Sequence, residues 1–356
     1  MSDDKHVIIR TNIKGFAPTK KELEILSSIN SKIFQIENLT DIDSYDSNSS
    51  IFDAEAIIIS YEHVEKEIFE KLRNLRIISK MGIGVEIVDV GAATKNGVVV
   101  ANCPRFCVGE IADHIMAFLL ACNKRLFKWD KMIRRSAVTK KVWDDIQYER
   151  DQNSPIRISG KRLGLIGFGN IPKAVSERAK PFGLEIWAYD PYVKKEIFKK
   201  YEVKEKGIDD IFKNCEFISI GLPWTQETYH MIDKKYFNIM KPNAVFINTS
   251  RGQVVEEKDL IKALKEKQIS YAGIDVFESI ACYGPNVKKA DSPFFDLDNV
   301  ILTPHISGAS VESLDEVRET SAENVIRVLT GYWPKEVEYT KNYVNHDVIP
   351  KFSLKK

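Results

Sequence analysis

Four ionisable side chains stand just after short apolar segments of the sequence, and they are Asp190, Arg251, Asp275 and His305. Such segments are typical of buried parallel strands, and ligands of open α/β sheets bind beyond the carboxyl ends of the strands. A guanidinium at Arg251 could hold a carboxylate through two parallel hydrogen bonds and polarise an adjacent carbonyl. An imidazole at His305, behind a Thr-Pro pair, could donate a proton to that carbonyl or remove it in the reverse reaction. Each residue could instead belong to a surface ion pair, but their shared placement favours a site.

A strand-like segment, a glycine turn and a helical segment follow one another between Arg162 and Pro172. Gly167 permits a tight turn, and Gly169 lets backbone N–H groups approach a pyrophosphate at a helix N-terminus. Asp190 lies about twenty residues farther on, where a carboxylate can bind a ribose 2′-hydroxyl and disfavours the 2′-phosphate of NADP. The pattern predicts an NAD site, and the alternative is an ordinary turn without a ligand. Pro172 replaces the third glycine of the motif, which puts the close packing of this helix in question.

Short apolar segments alternate with amphipathic stretches along most of the chain, which predicts parallel sheets covered by helices on both faces. The alternation pauses at a polar stretch from Lys141 to Ser159, which we interpret as a linker. A long helix is predicted from Gly109 to Met132, and its apolar stripe is wide enough to need cover from a partner subunit or a neighbouring domain. The strands are predicted at 56–60, 76–79, 97–101, 162–166, 184–189, 217–221, 244–248, 270–274 and 300–303. The fold class is therefore α/β, with a doubly wound domain.

Length and composition fit two globular domains, since the chain has 356 residues, 44% of them hydrophobic and 29% charged. Lys plus Arg is 52 and Asp plus Glu is 51, so nothing indicates an electrostatic grip on nucleic acid or on a membrane surface. The polar start of the chain is unlike a signal peptide, and we expect a cytoplasmic protein. The cysteines form no metal-binding pattern, so we expect reduced, mostly buried thiols and no metal. They are Cys103, Cys107, Cys122, Cys215 and Cys282.

Several blocks between about residues 75 and 330 resemble, in the same order, the D-isomer-specific 2-hydroxyacid dehydrogenases, the family of phosphoglycerate dehydrogenase and the C-terminal binding proteins. No single block is specific, but together they are. The blocks are 80–89, 92–104, 110–113, the glycine turn, 221–228, 247–252 and 303–305.

The resemblance implies a split layout, with a flavodoxin-like substrate domain from residues 1–108 and 309–356 and a Rossmann-type NAD-binding domain from residues 109–308. It also implies a homodimer. By position, Arg251 would bind the substrate carboxylate, His305 would be the acid/base, and Asp275 would orient the nicotinamide carboxamide. The other cofactor contacts would be Gly167, Phe168, Gly169, Asn170, Ile171, Asp190, Leu222, Pro223, Thr228, Thr249 and Ser250. The substrate contacts would be Lys80, Ile83 and Gly84.

The sequence departs from the family where a glutamate should hydrogen-bond the catalytic histidine and raise its pKa. That glutamate stands five residues after the aspartate that matches Asp275, and here this position is Ile280. The stretch from Glu278 to Lys288 is also a few residues longer than is usual. Three hypotheses follow: Glu278 reaches His305 through a reshaped loop, or His305 works without a carboxylate at a more acidic optimum, or redox activity is weakened. A solvated loop residue is the plain alternative for Glu278.

The sequence thus predicts an NAD-dependent oxidoreductase that interconverts a small D-2-hydroxy acid and its 2-oxo acid. The pairing of Arg251 with His305 favours an enzyme, because a protein that only binds NAD has no need of a carboxylate clamp beside a proton donor. The alternative is an NAD(H)-responsive binding or regulatory protein, which the missing glutamate favours. The other histidines, including His114 and His230, are interpreted as packing or surface residues.

Overall fold

The chain divides into two compact units in a computed structural model that describes residues 5–12, 16–135, 140–152, 154–280, 291–337 and 340–355. The first unit comprises Met1–Phe106 and Ser310–Lys356, and the second comprises Cys107–Ala309. Within the described ranges, no helix is both long and apolar enough to cross a membrane.

The regular elements alternate between strands and helices along both units. The strands are β1 (His6–Thr11), β2 (Ser31–Ile36), β3 (Ala56–Ile59), β4 (Ile77–Lys80), β5 (Val99–Ala101), β6 (Arg162–Ile166), β7 (Glu185–Tyr189), β8 (Lys204–Glu205), β9 (Phe217–Ile220), β10 (Val245–Asn248), β11 (Tyr271–Ile274), β12 (Val300–Leu302), β13 (Glu336–Val337) and β14 (Thr340–Lys341). The helices are α1 (Lys20–Leu26), α2 (Glu67–Lys71), α3 (Val90–Lys95), α4 (Val108–Lys124), α5 (Leu126–Arg135), α6 (Lys140–Gln152), α7 (Asn170–Ala179), α8 (Lys195–Lys200), α9 (Ile208–Asn214), α10 (Lys234–Phe237), α11 (Glu257–Lys265) and α12 (Val311–Leu329). Short 3-10 helices lie at Leu39–Ser44, Ser50–Asp53, Lys180–Phe182, Gly252–Val254 and Pro293–Asp296.

The first unit is built on a parallel sheet with strand order β2-β1-β3-β4-β5, the order of flavodoxin-like folds. Successive side chains of β3 bury on opposite faces of this sheet. Ile57 and Ile59 belong to one apolar cluster, and Ile58 belongs to the other, where α12 packs. An uninterrupted apolar run is therefore what a strand covered on both sides requires, and the predicted flavodoxin-like α/β fold is confirmed.

The second unit is a parallel sheet with strand order β12-β11-β10-β9-β6-β7-β8. Strand β6 pairs with β7 on one side and with β9 on the other, so the chain reverses its direction of travel across the sheet at β6. Such a switch point is where dinucleotides bind in doubly wound folds. The predicted Rossmann-type architecture is confirmed, and it puts the carboxyl ends of β6, β7, β9, β10, β11 and β12 along one edge.

Two sequence-based predictions about helices were wrong. The single helix predicted over 109–132 is two helices, because Arg125 takes left-handed backbone with φ of 54° between α4 and α5. The predicted linker is in part helix α6, which begins at Lys140. Its sequence is polar but holds no glycine or proline, and Lys, Gln, Glu and Arg make up six of its 13 residues. Residues of this kind form helices well even where they bury little, so polarity alone did not indicate a loop.

The cysteines that the structure describes are buried thiols, namely Cys103, Cys107, Cys122 and Cys215. Burial raises the pKa of Cys103 and of Cys215 to about 12, because an apolar environment disfavours the charged thiolate. Cys282 lies outside the described residues.

Candidate active site

The glycine turn after β6 forms an open cradle at the start of α7. Gly167 has φ of 92°, and a Cβ at this residue would lie 2.6 Å from the carbonyl oxygen of Gly221, so only glycine fits. Gly169 differs, because a Cβ there would meet no heavy atom within 4 Å. The helix begins at Asn170, and its first N–H groups and positive dipole end therefore adjoin free space. This arrangement fits a pyrophosphate, for which the first turn of α7, Asn170 and Ile171, would supply N–H donors.

The carboxylate of Asp190 links the glycine turn to the turn after β7 through hydrogen bonds. One carboxylate oxygen accepts the N–H of Phe168 at 2.8 Å, and the other accepts the N–H of Tyr192 at 2.9 Å. The hydroxyl of Tyr192 donates to Glu227, in the loop after β9, at 3.1 Å. The carboxylate thus has a fixed place beside the cradle, where an adenosine ribose would lie.

The loop after β9 closes the other side of the cradle. A Cβ at Gly167 would lie 3.4 Å from the side chain of Leu222, so Leu222 packs on the turn. Within this loop the hydroxyl of Thr228 donates to the carbonyl of Pro223 at 2.6 Å and accepts the N–H of Thr225 at 2.8 Å. The side chain of Thr228 therefore shapes the loop through its hydrogen bonds to the backbone of Pro223 and Thr225.

The turn after β10 carries Arg251. The side chain of Asn248 holds this turn: its oxygen accepts the N–H and the hydroxyl of Ser250 at 3.0 and 2.8 Å, and its nitrogen donates to the carbonyl of Arg251 at 3.0 Å. Thr249 is buried in the same turn. A Cβ on Gly252 would lie 2.1 Å from the carbonyl carbon of Phe277, so the segment after β11 rests directly on this turn. Asn248 and Gly252 therefore fix the backbone that presents the guanidinium.

The turn after β12 carries His305, and Asp275 holds it in place. Asp275 is fully buried, and its carboxylate accepts the hydroxyl of Thr303 at 2.5 Å and the N–H groups of Ile306 and Ser307, each at 3.0 Å. These contacts show a positioning role for Asp275 that sequence reasoning missed. Its predicted contact with a nicotinamide carboxamide stays a prediction.

Arg251, Asp275 and His305 follow three strands that are neighbours in the sheet, and the cofactor residues follow β6, β7 and β9 at the same edge. Among the residues that the structure describes, no group of three or more His, Cys, Asp or Glu side chains is arranged to hold a metal ion. The same edge of the sheet thus carries a guanidinium, an imidazole and the glycine cradle.

A family model described as the NAD-binding domain of D-isomer specific 2-hydroxyacid dehydrogenases matches residues 116–307, more than half of the chain. The glyoxylate reductase of Pyrococcus furiosus is 35% identical over 288 residues, which cover 81% of this chain and 81% of that protein. The chain belongs to the D-isomer-specific 2-hydroxyacid dehydrogenase family. The predicted resemblance is confirmed.

Another relative supports the family, and a solved structure shares the fold. The D-3-phosphoglycerate dehydrogenase of Methanocaldococcus jannaschii is 33% identical over 328 residues, 91% of this chain and 58% of that protein. The apo structure of D-lactate dehydrogenase from Escherichia coli has the same fold, with a TM-score of 0.73 at 23% identity over 95% of this chain and 99% of that one.

Pro172 is the first departure from the dehydrogenase family pattern, and the structure shows how it is accommodated. The ring is buried in the first turn of α7, and a Cβ on Gly221 would lie only 2.6 Å from its Cγ. Gly221 directly follows β9, so the missing side chain makes room for the proline ring. The helix keeps its close approach to the sheet because the glycine stands directly after β9, the neighbour of β6, instead of in the helix.

Glu278 is the residue that the sequence offers in place of the missing family glutamate, and its carboxylate is engaged away from His305. Its carboxylate accepts a hydrogen bond at 2.7 Å from Nε2 of His230 and another at 3.3 Å from the hydroxyl of Tyr229. His230 Nδ1 lies 3.0 Å from Glu256. The structure thus engages both oxygens of Glu278 in this cluster, rather than bringing them to His305 as the first hypothesis required. His230 is not a simple surface residue, since it links two carboxylates.

Ile280 occupies the family glutamate position and is buried, so its side chain brings no charge toward the histidine. Residues 281–288 of the lengthened stretch, with Cys282, lie outside the described residues. Of the three hypotheses, the one that requires Glu278 to reach His305 does not fit the observed contacts. The other two, a His305 that works without a carboxylate and a weakened redox activity, stay predictions.

The predicted substrate contacts belong to the first unit. Lys80 is the last residue of β4, and its Nζ donates to the carbonyl of Met81 at 2.9 Å. The carbonyl of Ile83 accepts the side-chain amide of Asn102 at 2.7 Å, and Gly84 is half-buried nearby in sequence. These residues lie at and after the carboxyl end of a parallel strand, the usual place for a ligand in such sheets.

Proposed function

We propose that this protein is an NAD-dependent D-2-hydroxyacid dehydrogenase that interconverts a small D-2-hydroxy acid and its 2-oxo acid. The observation that carries the proposal is the placement of Arg251 and His305 on turns after β10 and β12, at the sheet edge that also holds the glycine cradle. Family membership and the reductase and dehydrogenase names of the relatives support it.

Arg251 binds the substrate carboxylate and polarises the adjacent carbonyl, because a guanidinium matches a carboxylate with two parallel N–H donors. His305 donates the proton that the carbonyl oxygen takes up during reduction, and it removes that proton when the alcohol is oxidised. The bound nicotinamide supplies or accepts the hydride at the carbonyl carbon. The net reduction consumes one 2-oxo acid, one hydride and one proton, and it yields one 2-hydroxy acid.

NAD is the proposed cofactor because the carboxylate of Asp190 is held beside the cradle by two backbone N–H groups. A carboxylate there accepts a ribose 2′-hydroxyl and repels a 2′-phosphate. The expected result is a kcat/KM for NADH well above that for NADPH, and Asp190→Ser should narrow the gap. Solved structures of the same fold hold NADP in a glyoxylate/hydroxypyruvate reductase from Sinorhizobium meliloti and NAD+ in a D-lactate dehydrogenase from Lactobacillus jensenii, so the choice of cofactor depends on residues such as Asp190 and not on the fold.

We propose that residues 1–108 and 309–356 form the substrate domain and residues 109–308 the NAD-binding domain. Lys80, Ile83 and Gly84 would then contact the substrate. Lys80→Met should raise the KM for the 2-oxo acid and leave the Kd for NADH unchanged. If Lys80→Met raised the Kd for NADH as much as the KM for the 2-oxo acid, the assignment of Lys80 to substrate binding would be wrong.

A homodimer in the cytoplasm is the proposed state of the protein. Large apolar side chains are exposed on α5 and α6, and a second copy could cover them. They are Leu126, Phe127, Ile133, Trp143 and Tyr148. Buried thiols suit a reducing compartment, and the net charge of +1 gives no support to nucleic-acid or membrane partners. Light scattering would give the mass of one chain if the dimer proposal is wrong.

The decisive experiment measures NADH oxidation with glyoxylate, hydroxypyruvate and pyruvate by wild type, His305→Ala and Arg251→Lys. Loss of the proton donor should reduce kcat about 10²- to 10⁴-fold. Arg251→Lys should raise KM as well, because a point charge replaces a bidentate clamp. The matched control is His63→Ala, which removes an exposed histidine and should change nothing. Tight NADH binding without turnover of any 2-oxo acid would overturn the proposal and favour the regulatory alternative.

A further inference from the structure

His305 adopts a left-handed backbone, with φ of 53°, which a residue with a Cβ adopts only when its surroundings hold it. The backbone carbonyl of Asp275 accepts the N–H of His305 at 2.8 Å, and its carboxylate accepts the next two N–H groups, those of Ile306 and Ser307. One buried residue therefore restrains the turn on the carboxyl-terminal side of the histidine.

Thr303 restrains the turn on the amino-terminal side. Its N–H donates to the carbonyl of Ile274 at 3.0 Å, and its hydroxyl donates to Asp275 at 2.5 Å. A hydroxyl has a single proton, and here the carboxylate takes it. The Thr303 oxygen is then left as an acceptor, and Nε2 of His114 lies 3.2 Å from it. His114 must be the donor in that bond, which places a proton on its Nε2.

His114 lies on α4, the helix that packs against β10, β11 and β12. Its ring packs against that of Phe118 in a T-shaped contact, with ring centroids 4.4 Å apart and planes at 78°. Burial lowers the pKa of His114, against a smaller opposing effect of the Asp275 charge, so the ring is neutral near pH 7. A neutral ring with one fixed proton is a directional donor.

We propose that His114 is a positioning residue for the reaction: it donates to Thr303, which donates to Asp275, and this chain of hydrogen bonds fixes the turn that presents His305. The inference rests on the proposed function, since it assigns His305 the proton transfer. The sequence alone indicated only a packing role for His114. Because the contacts of His114 run to Thr303 and Phe118, its removal should impair catalysis through the orientation of His305.

The test compares His114→Leu, Thr303→Val and the double variant in steady-state kinetics and NADH titration. Misplacing an acid by about 1 Å can cost up to ~10²-fold in rate, so each single variant should lower kcat roughly 10- to 100-fold. The Kd for NADH should stay at the wild-type value. The double variant should be no slower than Thr303→Val, because loss of the hydroxyl already interrupts the chain. Unchanged kcat in His114→Leu, or losses that multiply in the double variant, would overturn the proposal.

Conservative variants separate hydrogen bonding from packing. Thr303→Ser keeps the hydroxyl and His114→Gln keeps a terminal N–H donor, so both should retain most of the wild-type kcat. The control is His63→Leu, which removes an exposed histidine. If His114→Gln were as slow as His114→Leu while both kept the wild-type melting temperature, the donor role would be refuted.

A spectroscopic measurement keeps this inference apart from the proposed function. In ¹⁵N NMR of the histidine rings, His114 should show the tautomer with the proton on Nε2, and Thr303→Val should shift the ring signals of His305. If wild type turned over no 2-oxo acid yet gave these spectra, the proposed reaction would fail and the hydrogen-bond chain would stand. The Nδ1–H tautomer of His114 would refute the chain whatever the activity.

Discussion

Gly221 and Pro172 provide a quantitative test of how this chain replaces the third glycine of its dinucleotide motif. In Gly221→Ala the new Cβ would stand 2.6 Å from Cγ of Pro172, whereas its next contacts, Cδ of the same ring and the carbonyl of Ile166, are both at 3.5 Å. Apolar carbons prefer separations of about 3.5–4.0 Å, so a single pair of atoms falls short by roughly 1 Å. A proline side chain cannot rotate about a χ1 bond as other side chains do, so only a change of ring pucker or a shift of α7 can relieve the contact.

Overpacking of this kind costs about 1–3 kcal/mol, and we expect the free energy of unfolding to fall by that amount in Gly221→Ala. Pro172→Ala removes Cγ, so Gly221→Ala made in that background should cost close to nothing. The two substitutions should therefore show a coupling energy of about 1–3 kcal/mol, as large as the cost of Gly221→Ala itself. Urea unfolding followed by tryptophan fluorescence measures all four proteins, and NADH titration should show weaker binding in Gly221→Ala alone.

Gly169→Ala is the matched control, because its Cβ would meet no heavy atom within 4 Å. Its φ of −76° and ψ of −157° suit a residue with a side chain. Stability should stay within about 0.5 kcal/mol of wild type, whereas NADH affinity should fall because the methyl group occupies the cradle. If Gly221→Ala costs as much without Pro172 as with it, the ring contact does not explain the missing glycine.

Three further predictions concern buried polar groups. Glu22 and Arg10 form an ion pair at 2.9 Å with both side chains fully buried, so Glu22→Gln should lower the free energy of unfolding by about 3–5 kcal/mol; a change below about 1 kcal/mol would contradict this. Because burial raises the pKa of Cys103 and Cys215 to about 12, neither should react with a disulfide reagent until the protein unfolds, which mass spectrometry of labelled native protein would check. The pKa of His114 is lowered on folding, so the unfolded chain binds the proton first and stability is lost as pH falls below about 6.5; His114→Gln should lose less stability than wild type between about pH 7.5 and about pH 5.5 in urea titrations, and equal losses would refute the reasoning.

Much of the fold is legible in the sequence because parallel strands bury both faces. Strand β6 was predicted with the bounds that it has, and β3, β9, β10 and β11 end within one residue of their predicted ends. Strand β2 was missed because it lies at the sheet edge, and only Ile36 of its six residues is buried. An edge strand is less buried than a central one, so its sequence lacks the run of apolar residues by which the other strands were predicted.

The sequence predicted those site residues that directly follow a strand. Turn residues such as Arg251 and His305 could be chosen because parallel strands bring their carboxyl ends to one edge. The partner of Glu278 could not be predicted in this way, since His230 lies 48 residues away along the chain. Glu278 lies only two residues from the position of the family glutamate, and this suggested His305 as its partner. In the structure Phe277 packs on Gly252, and the carboxylate of Glu278 contacts His230 instead. A contact between two loops depends on backbone geometry that residue types do not encode.

The carboxyl end of β11 holds both proposed catalytic residues in place. Asp275 restrains the turn of His305, and two residues later Phe277 rests on the turn of Arg251 through Gly252. The next residue, Glu278, donates its N–H to the carboxylate of Glu257, the first residue of α11, at 2.5 Å. The departure from the family begins only at Ile280, after both sets of contacts are complete. The altered loop can therefore change the environment of the site while the backbone positions of the guanidinium and the imidazole stay fixed, which is why we expect the chemistry to persist without the family glutamate.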